Sequence, residues 1–186
     1  MPGQKGIHPH KLIMWLLMAS VIMMFAGLTS AYIVKRNQAN WQGFDLPLIF
    51  WYSTAAIMLS SATLYMAARN FKAQNRAGHT QWMVITILLG VGFIVMQIMG
   101  FAQLEQNGIR LIGTGSNVSG SFLAVIAGLH LLHVLGGVIT LLVLMVRNLN
   151  VQNRNYSAVP MEVISTYWHF IGALWLYLFV FLQIVS

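Results

Sequence analysis

Cysteine is absent from all 186 residues, which excludes disulfides, thiolate-bound zinc, iron–sulfur clusters and covalently attached c-type haem. Any metal or haem held by this chain would have to hang on histidine. Carboxylates are nearly missing too: three Asp and Glu stand against ten Lys and Arg, and charged residues make up only 7% of the chain. Without a series of intramembrane acids, no proton path across a bilayer can be drawn through this chain alone. The net charge of +7 is scattered over separate loops in runs no longer than two, which speaks for membrane topology and against nucleic acid. Also lacking are a phosphate-cradling glycine loop, an evident nucleophile and base pair, a heptad seam and an internal repeat.

What is present is apolar: 58% of the residues are hydrophobic, the composition of a membrane protein. Leu12 to Val34 is uncharged and bounded by Lys11 and Lys35, longer than the roughly 20 residues a span needs and than the roughly 7–15 of a signal-peptide core. Further uncharged runs predict an all-α, polytopic, single-domain membrane protein with five transmembrane helices over about residues 12–34, 47–68, 80–104, 120–146 and 160–185. Pro47 and Pro160 open the second and fifth, where a missing N–H costs nothing. Gly90, Gly92 and Gly100 in the third, and Gly120, Ala124 and Gly128 in the fourth, are candidates for close helix packing. Lys5, Lys11, Arg69, Lys72, Arg76, Arg147 and Arg154 fall on one side, against Lys35, Arg36 and Arg110 on the other. Positive-inside counting then places the N-terminus inside and the C-terminus outside.

The last two helices carry the chemistry-bearing residues. His130 and His133 stand three apart on the fourth, on a face that continues through Gly137 and Thr140. Glu162, Ser165, Thr166 and His169 form a stripe on the fifth that runs into Gly172 and Ala173. Both stripes are expected to face protein, water or a polar ligand, because polar groups at membrane depth are costly unless partnered. His130, His133 and His169 are the candidates weighed for a metal or b-type haem. If Val146 and Met161 lie level, however, His133 stands roughly 7 Å beyond His169 along the bundle. A stand-alone b-type cytochrome using His130 or His133 with His169 is the reading from a different class. Glu162 suits a helix N-terminus and is expected to pair with Arg147. Trp168, Trp175, Tyr167 and Tyr177 are read as packing aromatics.

The run SFLAVIAGLHLLHVLGG, a short basic loop, a glutamate six residues ahead of YWHF's tryptophan, and then WLYLF are carried by His130, His133, Gly136, Glu162, Trp168, His169, Phe170 and Trp175. With KLIMWLLMASVIMMFAGLTSAYI, the pair Ser60 and Ser61, and Gln97, this pattern resembles subunit III of the haem–copper respiratory oxidases in its short five-helix form. The resemblance implies a non-catalytic chain with no catalytic, cofactor or metal residues of its own. Haem and copper would lie in partner subunits, with the chain docked on oxidase subunit I, near subunit II, in a bacterial cytoplasmic membrane. It implies bound phospholipid and support of proton uptake by subunit I. His130, His133, Glu162, Trp168 and His169 are the lipid-contact or subunit-contact candidates. Cytochrome c is preferred over quinol as electron donor, and an accessory protein of a nitric oxide reductase is a related possibility. Many relatives carry carboxylates where this chain has Val21, Gly100 and Gly172, so roles tied to those acids do not transfer.

Overall fold

The computed structural model describes residues 9–36, 41, 43, 46–109, 111, 113, 118–150 and 159–185. Lys5, Arg110 and Arg154, used above for orientation, lie outside the described residues. Among the described residues, five α-helices follow one another: α1 (Pro9–Arg36), α2 (Ile49–Lys72), α3 (Arg76–Gln106), α4 (Val118–Asn150) and α5 (Val159–Val185). Elsewhere they overrun the apolar stretches by up to about a turn, because hydrophobicity marks membrane depth whereas a helix continues until something caps it. α2, however, begins at Ile49, and Pro47, expected to open it, precedes it and accepts from the Phe50 N–H at 3.0 Å through its carbonyl. α2 and α3 are joined by only Ala73, Gln74 and Asn75, and the Asn75 side chain caps α3 by accepting from the Gly78 N–H at 3.1 Å. Gln74 makes the reversal in the left-handed region, at φ 59°.

Successive helices alternate in direction. Across α2 and α3, Ser53 meets Gln97 at one end and Ala67 meets His79 at the other, an antiparallel pair. Lys11 meets Glu162 and Tyr32 meets Phe181, so α1 and α5 run parallel. α5 packs on α1, α2 and α4, while α3 packs on α2 and α4. α1 buries Met14, Met18, Val21, Phe25, Thr29 and Tyr32, a stripe at helical spacing, and leaves Leu16, Met23 and Val34 exposed. His79 fastens the far end of the hairpin: its Nδ1–H donates to the Ala67 carbonyl at 2.9 Å and its Nε2 accepts from Asn148 of α4 at 3.1 Å.

Among the described residues, four helices are long and apolar enough to cross a membrane: Lys11–Arg36, Arg76–Gln106, Val118–Asn148 and Val159–Val185. This is an integral membrane protein. α2 falls below that mark because it carries Ser53, Thr54, Ser60, Ser61 and Thr63. Its polarity is turned inward: Ser53, Thr54 and Ser60 are buried, while Trp51, Tyr52, Met58, Leu59, Tyr65 and Met66 are exposed. Of the glycines expected to aid packing, Gly90 and Gly100 do so, against Trp168 and Phe50, whereas Gly92 and Gly128 have nothing within 4 Å of where a Cβ would sit.

Candidate functional site

Two indoles of α5 fill the space enclosed by α2, α3, α4 and α5. Trp168 and Trp175 are seven residues apart, two turns along one face, with 1% and 0% of their surface exposed. The Trp168 indole N–H donates to Ser60 Oγ at 3.0 Å, and that of Trp175 donates to Thr54 Oγ1 at 3.0 Å. Each hydroxyl in turn donates to a carbonyl of α2, Ser60 to Ile57 and Thr54 to Phe50, both at 2.7 Å. Both indole donors and both hydroxyls therefore satisfy one another without water. Ser53 likewise receives the Gln97 amide at 2.8 Å, and Thr63 meets Thr86 at 2.8 Å. The polarity of α2 is thus the glue of the bundle. Clearance for Trp168 comes from glycine: a Cβ on Gly90 or Gly137 would lie 2.8 or 2.9 Å from its ring.

His130 lies at the Trp175 level, fully buried. Phe25 and Phe93 stand edge-on to its ring at centroid distances of 6.3 and 6.0 Å, and Trp175 lies tilted beside it at 5.0 Å. Neither ring nitrogen has a hydrogen-bond partner among the described residues. His133 behaves differently. Its Nδ1–H donates to the Leu129 carbonyl at 2.7 Å, and its own carbonyl accepts from the Tyr167 hydroxyl at 3.1 Å. Of the stripe expected to face protein, water or a polar ligand, His130 and Gly137 face protein, whereas Thr140 lies exposed. Residues three apart differ by about 60° around a helix, enough to turn His130 into the aromatic interior while His133 lies half-buried beside Phe25. Gly137 is covered by Trp168, and Thr140 bonds back to Gly136 on an exposed face. Removing two orphaned ring nitrogens relieves a desolvation cost. His130→Leu is therefore expected to leave thermal stability unchanged or raise it by about 1 kcal/mol. A loss of about 2 kcal/mol or more in a detergent melting series would mean that the imidazole has a partner in the folded protein.

The stripe on α5 does border a cleft, of about 430 Å³, at the N-terminal end of the bundle. Glu162, Ser165, Thr166 and His169 form one wall, and Tyr65, Arg69 and Lys72 of α2 form the other. Glu162 sits in the first turn of α5, as expected, but its partner is Lys11 of α1 at 2.9 Å and not Arg147. α1 runs parallel to α5 and brings its first lysine to the same depth. No periodicity within one helix reveals that neighbour. The pair is over 40% exposed on both sides, so it orients more than it stabilises. Gly172 is closed off by Ser61, whose Oγ would lie 3.1 Å from an added Cβ.

His169 faces this cleft, whereas His130 lies level with Trp175, six residues or about 9 Å farther along α5. The two imidazoles do not flank one centre, and no group of three or more His, Cys, Asp or Glu able to hold a metal occurs among the described residues. Arg69 and Lys72, read from sequence only as markers of orientation, stand three residues apart at the end of α2 and line the cleft.

A family model described as cytochrome c oxidase subunit III matches residues 4–186. The chain belongs to that family. Cytochrome c oxidase subunit 3 of Bacillus sp. (strain PS3) is 30% identical over 170 residues, covering 89% of this chain and 80% of the relative. The probable cytochrome c oxidase subunit 3 of Nocardia farcinica is 33% identical over 172 residues, covering 90% and 82%. The probable quinol oxidase subunit 3 of Staphylococcus saprophyticus is 28% identical over 180 residues, covering 91% and 86%. As an oxidase subunit III, the chain associates with other oxidase subunits. Two of the positions at which the resemblance leads one to expect a carboxylate are closed in this fold. Val21 is buried on the inner face of α1, and at Gly100 the Phe50 ring lies 2.7 Å from an added Cβ, leaving no room for an acid without a shift.

Proposed function

We propose that this chain is the non-catalytic subunit III of a proton-pumping aerobic terminal oxidase, a cytochrome c oxidase, in a bacterial cytoplasmic membrane. It docks on subunit I, touches subunit II and supports assembly, phospholipid binding and proton uptake by subunit I. Haem and copper reside in the partners. The match over residues 4–186 carries this reading. The bundle supports it, because the buried hydroxyls of α2 and the indoles of α5 hold helices to one another. α2 is the fifth span, made less apolar by the hydroxyls it turns inward, with the N-terminus inside and the C-terminus outside. A quinol oxidase is the second reading, favoured by the relatives named as quinol oxidase subunits.

His133→Leu or Glu162→Gln is expected to lower the ratio of this subunit to subunit I in the purified oxidase. Haem and copper per subunit I should stay unchanged. Quantitative mass spectrometry with metal analysis reads both, and loss of haem or copper at full subunit content would contradict the proposal.

A further inference from the structure

The middle of α4 carries two hydrogen-bond acceptors that the bundle leaves open. His133 is the midpoint of the span Val118–Asn148, about 22 Å along the helix from either end. Its Nδ1 faces the Leu129 carbonyl at 2.7 Å and so carries the ring proton, which leaves Nε2 as an acceptor. That nitrogen has no hydrogen-bond partner among the described residues and, unlike those of His130, is not sealed inside the bundle. Thr140 follows seven residues on, about 10 Å along the same face. It is exposed, and its hydroxyl already donates to the Gly136 carbonyl at 2.7 Å, so its oxygen too is left to accept.

Depth decides what kind of partner fits. With α4 centred in a hydrocarbon core of about 30 Å, His133 lies about 15 Å below either surface. Head groups and interfacial water do not reach it, and acyl chains offer no donor. An open acceptor at that depth is costly until a protein donor meets it. The surface around it suits a helix. Gly136, between the two acceptors, is exposed and has nothing within 4 Å of an added Cβ, so another backbone can come close. Leu132 and Ile139, 63% and 52% exposed, form the ridges beside it. A second copy of this chain does not fit, because it would set acceptors against acceptors.

We propose that this face of α4 docks on a transmembrane helix of oxidase subunit I that presents two side-chain donors about two turns apart. One donates to His133 Nε2 and the other to Thr140 Oγ1, with the partner backbone closing on Gly136. This deepens the docking part of the proposed function and rests on it for the identity of the partner.

The test uses the oxidase captured in mild detergent through a tag on this chain. Benzoylphenylalanine in place of Leu132 or Ile139, irradiated in the membrane, should crosslink to a peptide of one subunit I helix, read by mass spectrometry. The same probe at Leu88, exposed on α3 at a similar depth because Gly90 packs on Val138, should not reach it. After washing, His133→Leu should lower the ratio of this chain to subunit I by about 3- to 10-fold, the size of an interhelical hydrogen bond. His133→Gln, which keeps an acceptor, should hold the ratio near wild type. Gly136→Leu should lower it as well, while the thermal midpoint of the separated chain stays at the wild-type value. Crosslinks from Leu132 and Ile139 to lipid alone or to a second copy would overturn the proposal. So would a probe at Leu88 that reaches subunit I in their place, equal loss for His133→Leu and His133→Gln, or full retention of both His133→Leu and Gly136→Leu. Subunit I missing from the captured wild type would overturn the oxidase reading itself. Subunit I present without these crosslinks leaves that reading standing and sinks only the docking face.

Discussion

Replacing Trp168 with alanine should destabilise the bundle by about 3–5 kcal/mol, the range for deleting a large buried aromatic. The side chain is 1% exposed and touches or bonds three other helices, through Ser60 of α2, Gly90 of α3 and Gly137 of α4. In a membrane the loss is one of packing and hydrogen bonding more than of transfer from water, since lipid tails are as apolar as the bundle interior. Trp168→Phe separates the two contributions. It keeps an aromatic ring in place and removes the indole donor, with an expected loss of about 1–2 kcal/mol. Thermal midpoints of the detergent-solubilised chain, read by size-exclusion recovery after heating, rank wild type above Trp168→Phe above Trp168→Ala. Equal midpoints for all three would show that the indole does not occupy the space between these helices.

The complementary change is on the opposite wall. Gly137→Val places a Cβ within 2.9 Å of the Trp168 ring and 3.3 Å of the Tyr167 ring, and overpacking of this kind costs about 1–3 kcal/mol. The adjacent Gly136 has nothing within 4 Å, so Gly136→Ala should leave the midpoint nearly unchanged in the isolated chain. The two positions have the same residue type and the same helix propensity, and differ only in which way they face. Combining Gly137→Val with Trp168→Ala should cost clearly less than the sum of the single changes, because the new methyls enter the vacated space and contacting residues are not additive. Strict additivity would mean that the two sites do not touch.

Helix number and order were readable from the chain because each uncharged run is long and ends at a basic residue or a polar loop. The α4–α5 register was readable as well. Levelling Val146 with Met161 sets His169 against about residue 138, and the neighbouring Trp168 does lie against Gly137. Rotation was not readable. The stripe of His130 and His133 looked hydrophilic as a pattern, yet a 60° difference sends one imidazole among aromatic rings and leaves the other bonded to its own helix. The partner of Glu162 was missed for a related reason: arginine at matching depth on α4 was visible, but the parallel approach of α1, which brings Lys11 closer, is a tertiary fact. The hydroxyls of α2 look like a weakness in a membrane span when counted one at a time. They become intelligible only when Trp168 and Trp175 come down from α5 to meet them.

We propose a polypeptide that belongs to an oxidase and holds no redox centre itself. The most direct test is an absorbance spectrum taken twice, on the complex captured in mild detergent through a tag on this chain, and on the chain after separation from its partners. The complex should contain oxidase subunit I and display haem bands, and the separated chain should be colourless across the Soret region. A Soret band that stays with the isolated chain, and disappears on His169→Ala, would contradict the account.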